Sequence, residues 1–197
     1  MEKLRESARA MPTFRAAQAD GKLMRLPTGD GGALVFGTSP EAPVKCAVEI
    51  AHELKKHPAL SVHMGIHSGP VKAITDLSEQ GNIAGAGINM AQRVMDCGDA
   101  AHILLSKRVA DDLRELAQWR PPLHDLGTCE VKDGVKLALF NLCSDENWES
   151  GIAVEIAARR SRPRATSKFL SATNCRSYLR GVLAVAVFEY ADAPAEL

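Results

Sequence analysis

Two stretches of the chain carry side chains of the kind that handle cations and phosphates. The first is Thr28-Gly29-Asp30-Gly31. Glycine takes the positive φ that a tight hairpin turn demands, so this turn would present Asp30 at its tip with bare backbone at Gly29 and Gly31. A carboxylate held this way suits Mg²⁺, which uses one or two protein carboxylates and leaves its other positions to phosphate and water. The same tripeptide closes many ordinary hairpins, so by itself it marks a turn as readily as a ligand. The second stretch holds Asn89 and Arg93, spaced to project from the same face of a helix. An amide and a guanidinium in that array can hold a nucleotide and stabilise charge developing on phosphate oxygens, although a solvated helix face can have the same composition. Gly85 and Gly87, just ahead of the helix, would let a phosphate approach its N-terminus, and Gly-x-Gly is also a common loop. His63 and His67 share one face of a strand, but no third ligand accompanies them, and zinc is not expected.

The elements that must position these residues follow from periodicity. Leu4, Ala8, Met11 and Phe14 predict an amphipathic helix over 3–17, interrupted near Pro12. Residues 22–25 and 33–36 flank the Asp30 turn as a β-hairpin. Ser39 as N-cap and Pro40 at the first helical position start a helix that buries Val44, Ala47, Val48, Ala51 and Leu54 and ends at Lys55-Lys56. Leu60 to His67 alternates as a half-buried strand, which Ser68-Gly69-Pro70 ends and which 71–74 would extend beyond the kink. A helix over 87–97, a short strand over 102–105, a helix over 107–117 capped by Ser106, and a hairpin around Lys132-Asp133-Gly134 complete the pattern. Hairpins mixed with helices favour an α+β sheet with helices packed on it over a regular βαβ repeat.

Length and composition bound the rest. The 197 residues allow one well-buried domain and a tail. With 46% hydrophobic and 24% charged residues the chain has the balance of a globular protein, and zero formal net charge points to no polyanionic partner. The five cysteines, Cys46, Cys97, Cys129, Cys143 and Cys175, are odd in number and lack ligand spacing, which argues against a disulfide framework and structural zinc and favours a reducing cytoplasm. No apolar run is long enough for a membrane span. After Cys143 the character changes. Arg159, Arg160, Arg162, Arg164, Lys168, Arg176 and Arg180 crowd a stretch with almost no acids, so 144–197 reads as a linker and basic tail, with nucleic acid an unlikely partner for want of interleaved aromatics. Within it, 181–188 is apolar enough for a strand or a small docking segment.

Taken in order, Gly29-Asp30, then Met64-Gly65-Ile66-His67-Ser68-Gly69-Pro70-Val71, then Gly85 with Ile88-Asn89 and Ala91-Gln92-Arg93, then Ile103-Leu104-Leu105-Ser106, resemble the class III adenylyl and guanylyl cyclases. The resemblance covers residues 1–143. It implies a ferredoxin-like, antiparallel-rich α+β sheet and a homodimer, in which metal ligands of one protomer face Asn and Arg of the other. It also implies conversion of a nucleoside triphosphate to cAMP or cGMP with Mg²⁺ or Mn²⁺ in intracellular signalling. Asp30 takes the role of a metal carboxylate, Asn89 positions the ribose, Arg93 meets transition-state charge, and Gly29, Gly31, Asn82 and Gly85 line the nucleotide.

The chain also departs from the family pattern. The family's other metal Asp belongs to a strand ahead of the first helix, and no aspartate precedes Asp20 here. The expectation is therefore a sheet lacking its first strand and a weakened or inactive cyclase, the alternative being a non-catalytic cyclase-homology module that dimerises or binds nucleotide. Leu26 stands where the family often has a purine-reading Lys, and Asn82 where its partner Asp would be, which leaves ATP and GTP undistinguished.

Overall fold

The computed structural model describes residues 6, 8–27, 31–57, 61–75, 81–98, 102–131, 134–142 and 183–191, and for residues 61, 72–75, 81–84 and 183–191 the backbone alone. The elements in chain order are α1 (Pro12–Ala19), β1 (Leu23–Pro27), β2 (Gly31–Phe36), α2 (Glu41–Leu54), β3 (Ser61–Gly69), β4 (Lys72–Thr75), β5 (Gly81–Ala84), α3 (Ala86–Met95), β6 (Ile103–Ser106), α4 (Lys107–Arg114), β7 (Leu123–Glu130), β8 (Lys136–Leu142) and β9 (Leu183–Ala191). Seven strands form one sheet in the order β1-β2-β9-β3-β6-β8-β7, and β4 pairs with β5 apart from it. Only β3 and β6 run parallel in the large sheet. The fold is the expected α+β class with an antiparallel-rich sheet.

Strand alternation divides the core between the two faces of the sheet. On one face Leu34, Phe36, Val62, Met64, Ile66, Ile103 and Leu105 pack against Phe14 of α1, Val44, Ala47 and Ile50 of α2, and Val109 and Leu113 of α4. On the other, Ala33 and Val35 meet Ile88, Ala91 and Met95 of α3, while Leu104 and Leu139 meet Val94 of the same helix. Thus three helices cover one side and α3 covers the other.

Several helix ends differ from the sequence expectation. The expected break at Pro12 is present, with Pro12 at the first position of α1, and the helix N-terminus is served from outside. Thr13 donates its backbone N–H and its hydroxyl to the Glu49 carboxylate of α2, at 3.2 and 2.6 Å. A carboxylate there also complements the positive end of the helix. Pro40, not Ser39, occupies the N-cap of α2, whose first turn is tied instead to the chain after α4, since Trp119 Nε1–H donates to Glu41 Oε1 at 2.6 Å. Residues 71–74 do not extend β3. Pro70 breaks the ladder, and β4 turns off to pair with β5.

The largest difference lies at the centre of the sheet. Instead of an absent strand, β9 runs there, antiparallel to β2 from Gly31↔Glu189 to Phe36↔Ala184 and to β3 from Ser61↔Ala191 to Gly69↔Leu183. A segment expected to be a strand or a small docking segment within a tail is a strand that joins the β1–β2 hairpin to the rest of the sheet.

Where α3 crosses β3 the backbones nearly touch. A Cβ on Gly65 would lie 2.5 Å from both Cβ and N of Met95 and 2.6 Å from the Ala91 carbonyl oxygen. Helix and strand backbone atoms cannot yield as a flexible side-chain tip can, so Gly65→Ala must lift the helix. The expected cost is about 1–3 kcal/mol, the usual range for overpacking, read as a lower denaturation midpoint at unchanged m-value. Gly21→Ala, where nothing lies within 4 Å but φ is +65°, would lose less, about 1 kcal/mol from the backbone conformation alone.

Candidate functional site

The helix expected to carry the chemistry is seated firmly. Ile88, Ala91 and Met95 are buried against Ala33, Val35 and Val71, which turns Asn89 outward to solvent and leaves Arg93 half-buried one turn on. Arg93 lies in the last turn of α3, where a cation is favoured by the helix dipole. Gly85 is the N-cap residue of α3. Gly87 lies tight against β3: its N–H donates to the Pro70 carbonyl at 3.0 Å, and a Cβ there would sit 3.0 Å from Gly69 C and O and from Pro70 O. Gly87 therefore serves close packing, and of the two glycines only Gly85 remains available to a phosphate.

Gly31 is half-buried at the start of β2, and Leu26 packs beside Ala33 and Val35 on the α3 face of the sheet. The hairpin that follows the Asp30 turn and the helix that bears Asn89 and Arg93 thus share one face. Gly29 and Asp30 themselves lie outside the described residues. Asn82 is described by backbone alone, as the partner of Ile74 between β4 and β5. Glu189 of β9 stands opposite Gly31 on one side and His63 on the other. Glu189 was not singled out in the sequence, because its place beside Gly31 comes only from a strand pairing between distant parts of the chain.

The two histidines of β3 have separate partners. His63, buried, donates Nδ1–H to the Gly98 carbonyl at 3.2 Å. His67 Nδ1 lies 2.9 Å from Ser106 Oγ. Ser106 occupies the N-cap position of α4, as expected, but its side chain makes no capping bond to that helix and goes to His67 instead. Among the described residues no group of three or more His, Cys, Asp or Glu side chains is placed to hold a metal ion.

The resulting arrangement is a cyclase-like fold. The particular likeness is to the crystal structure of an adenylate/guanylate cyclase/hydrolase from Silicibacter pomeroyi, with a TM-score of 0.54 and 22% identity over 72% of this chain and 82% of that one. No protein-family model matches the chain, and no curated protein matches it. Among the described residues no helix is long and apolar enough to cross a membrane.

Burial, with a smaller contribution from Arg108, pushes His67 down to about 4. Unfolded, the imidazole takes a proton near pH 6.5, so between about pH 6.5 and 4 the unfolded chain binds more protons and stability falls as pH is lowered. The shift corresponds to at most about 3 kcal/mol, less what solvent screens at a half-buried site. Urea titrations between about pH 7 and pH 4.5 are expected to show this loss, and His67→Gln to show a visibly smaller one.

Proposed function

We propose that the chain is a class III-type nucleotide cyclase domain that acts in the cytoplasm as a homodimer. It would convert a nucleoside triphosphate to a cyclic nucleotide and pyrophosphate. The observation that carries this reading is the seat of α3, which holds Asn89 and Arg93 on the sheet face shared with the hairpin that follows the Gly29-Asp30-Gly31 turn.

In this reading Asp30 and Glu189 are the two carboxylates that hold Mg²⁺ or Mn²⁺. The support for Glu189 is its register opposite Gly31, the residue that follows Asp30. A pair of carboxylates is a hard-oxygen donor set suited to either ion. When bound, the metal would activate the ribose 3′ hydroxyl and neutralise phosphate charge. Asn89 orients the ribose through its amide, and Arg93 takes up charge that develops on the α-phosphate oxygens. Gly29, Gly31 and Gly85 offer bare backbone to the triphosphate, and Asn82 can hydrogen-bond a base edge. Leu26, packed among apolar neighbours, offers no polar group to choose between ATP and GTP. Glu189 is one methylene longer than the aspartate that the resemblance implies. A displacement on the order of 1 Å can cost about a hundredfold, so a slow enzyme is expected.

Turnover of ATP and GTP by the full chain, beside Asp30→Ala and Arg93→Ala, tests the reading. Each substitution is expected to lower product formation by about a hundredfold or more. Equal background in all three, with nucleotide-dependent melting retained, would replace the enzyme with a module that binds nucleotide without turnover.

The Glu189 assignment has its own measurement in Mn²⁺ titration followed by electron paramagnetic resonance. Glu189→Gln should weaken Mn²⁺ binding by about tenfold or more and Glu189→Asp should largely retain it. Unchanged affinity in Glu189→Gln would remove that residue from the site while leaving Asp30 in place.

A further inference from the structure

Cys97 and Cys129 belong to elements far apart in the chain, and the fold brings them together. Cys97 lies in the turn that follows α3, and Cys129 lies on β7, the outer strand at one end of the sheet. Both are free and half-buried. They pack against the same buried trio, Val94, Leu104 and Leu139, and their thiols are close enough to influence each other's ionisation. Cys97 also donates its S–H to the Arg93 carbonyl at 3.2 Å. The remaining described cysteine, Cys46, is buried in the core on the opposite face of the sheet.

We propose that Cys97 and Cys129 are a modification site, a dithiol that a hydroperoxide closes to a reversible disulfide tying the end of α3 to β7. This site is independent of the nucleotide reading. Cys129, on the outer strand, reacts first: its sulfur attacks the peroxide oxygen, the O–O bond breaks, and sulfenic acid forms as an alcohol or water leaves. The Cys97 sulfur then attacks that sulfur, the S–OH bond breaks, and water departs with the Cys97 proton. In total two thiols lose two hydrogens and two electrons, and the hydroperoxide is reduced to alcohol and water.

Burial above all, and then the neighbouring Cys129, push the Cys97 thiol well above its ordinary range. Only the thiolate attacks, so Cys97 suits the role of the second, slower partner and stays a thiol until Cys129 is oxidised. Burial likewise pushes Cys46 up to about 12, with Glu49 adding to it, and among the described residues Cys46 has no thiol partner in its cluster. A disulfide needs Cα atoms within about 7 Å, and Cys97 lies in a turn beyond the last helical residue, Met95. Closure would remove the S–H donated to the Arg93 carbonyl and hold that turn covalently.

The test treats the full chain with hydrogen peroxide, then alkylates and maps it by mass spectrometry without reduction. The expected result is one linked peptide pair holding Cys97 and Cys129, with both thiols lost together, restored by dithiothreitol, and slower amide exchange at 95–98 in the oxidised chain. Cys129→Ser, a change at a half-exposed position, should leave Cys97 alkylatable under the same treatment. The proposal is overturned if both thiols stay alkylatable in excess peroxide. It is overturned equally if Cys129 passes to sulfinic acid while Cys97 remains a thiol, or if either pairs with another cysteine.

Discussion

The double ladder made by β9 is the connection on which the large sheet depends. On one side of it stands the β1–β2 hairpin, on the other the four strands β3-β6-β8-β7, and among the described residues no other strand joins them. An isolated two-stranded hairpin is marginal in water. Without β9 the inner edges of β2 and β3 would present unpaired N–H and C=O groups in the middle of a domain whose flanking residues, such as Val35, Phe36, Met64 and Ile66, are buried. Pairing on both sides satisfies these groups and brings Leu34 and Phe36 into one core with Val62, Met64 and Ile66. The last of the described elements therefore joins the two parts of the sheet.

With the sheet joined, the height of α3 above it is set by glycine. Gly65 faces Met95 and Ala91 at distances no side chain would permit, and Gly87 meets Gly69 in a contact tighter than most side chains make. These contacts are made largely by backbone atoms, so they set how close the helix lies to the strand. Asn89 and Arg93 project from that helix, and their position relative to the β1–β2 hairpin is inherited from these glycine contacts. This accounts for the glycines in Met64-Gly65-Ile66-His67-Ser68-Gly69 better than conformational freedom does, because neither Gly65 nor Gly69 has a positive φ.

Much of this was legible in the order of the residues. The alternation of Val62, Met64 and Ile66 marked β3, and the turn signals marked both hairpins. Apolar spacing marked α2 and α3, because these patterns are local and each element carries its own. What could not be read depends on contacts between distant parts of the chain. Ser106 looks like a helix cap, but its hydroxyl is taken by His67 across the sheet. Ser39 was passed over as a cap when the start of α2 found Trp119 and Gln118 as partners for Glu41. The 181–188 segment was recognisable as strand-like from its apolar run, yet nothing local says that its partners are β2 and β3. The candidate site divides along the same line. Asn89 and Arg93 were recognisable as a helical pair, whereas Glu189 and the Cys97–Cys129 approach emerge only once the chain is folded.

Register is the remaining constraint, and it connects the sheet to its chemistry. Successive residues of a strand alternate faces, so a slip of one residue would exchange every position of β9 between the α3 side and the three-helix side. In the observed register Val185, Val187 and Glu189 stand opposite Val35, Ala33 and Gly31 of β2 and opposite His67, Gly65 and His63 of β3. Ala33 and Val35 belong to the core beneath α3, and Gly65 is where that helix touches the sheet. The odd-numbered positions of β9 therefore belong to the face that carries Asn89 and Arg93. A single ladder could shift against one neighbour, but β9 is held in step by two, over six pairs with β2 and nine with β3. A slip would have to break both ladders at once, so the pairing that closes the sheet also fixes the register of β9 against both of its neighbours.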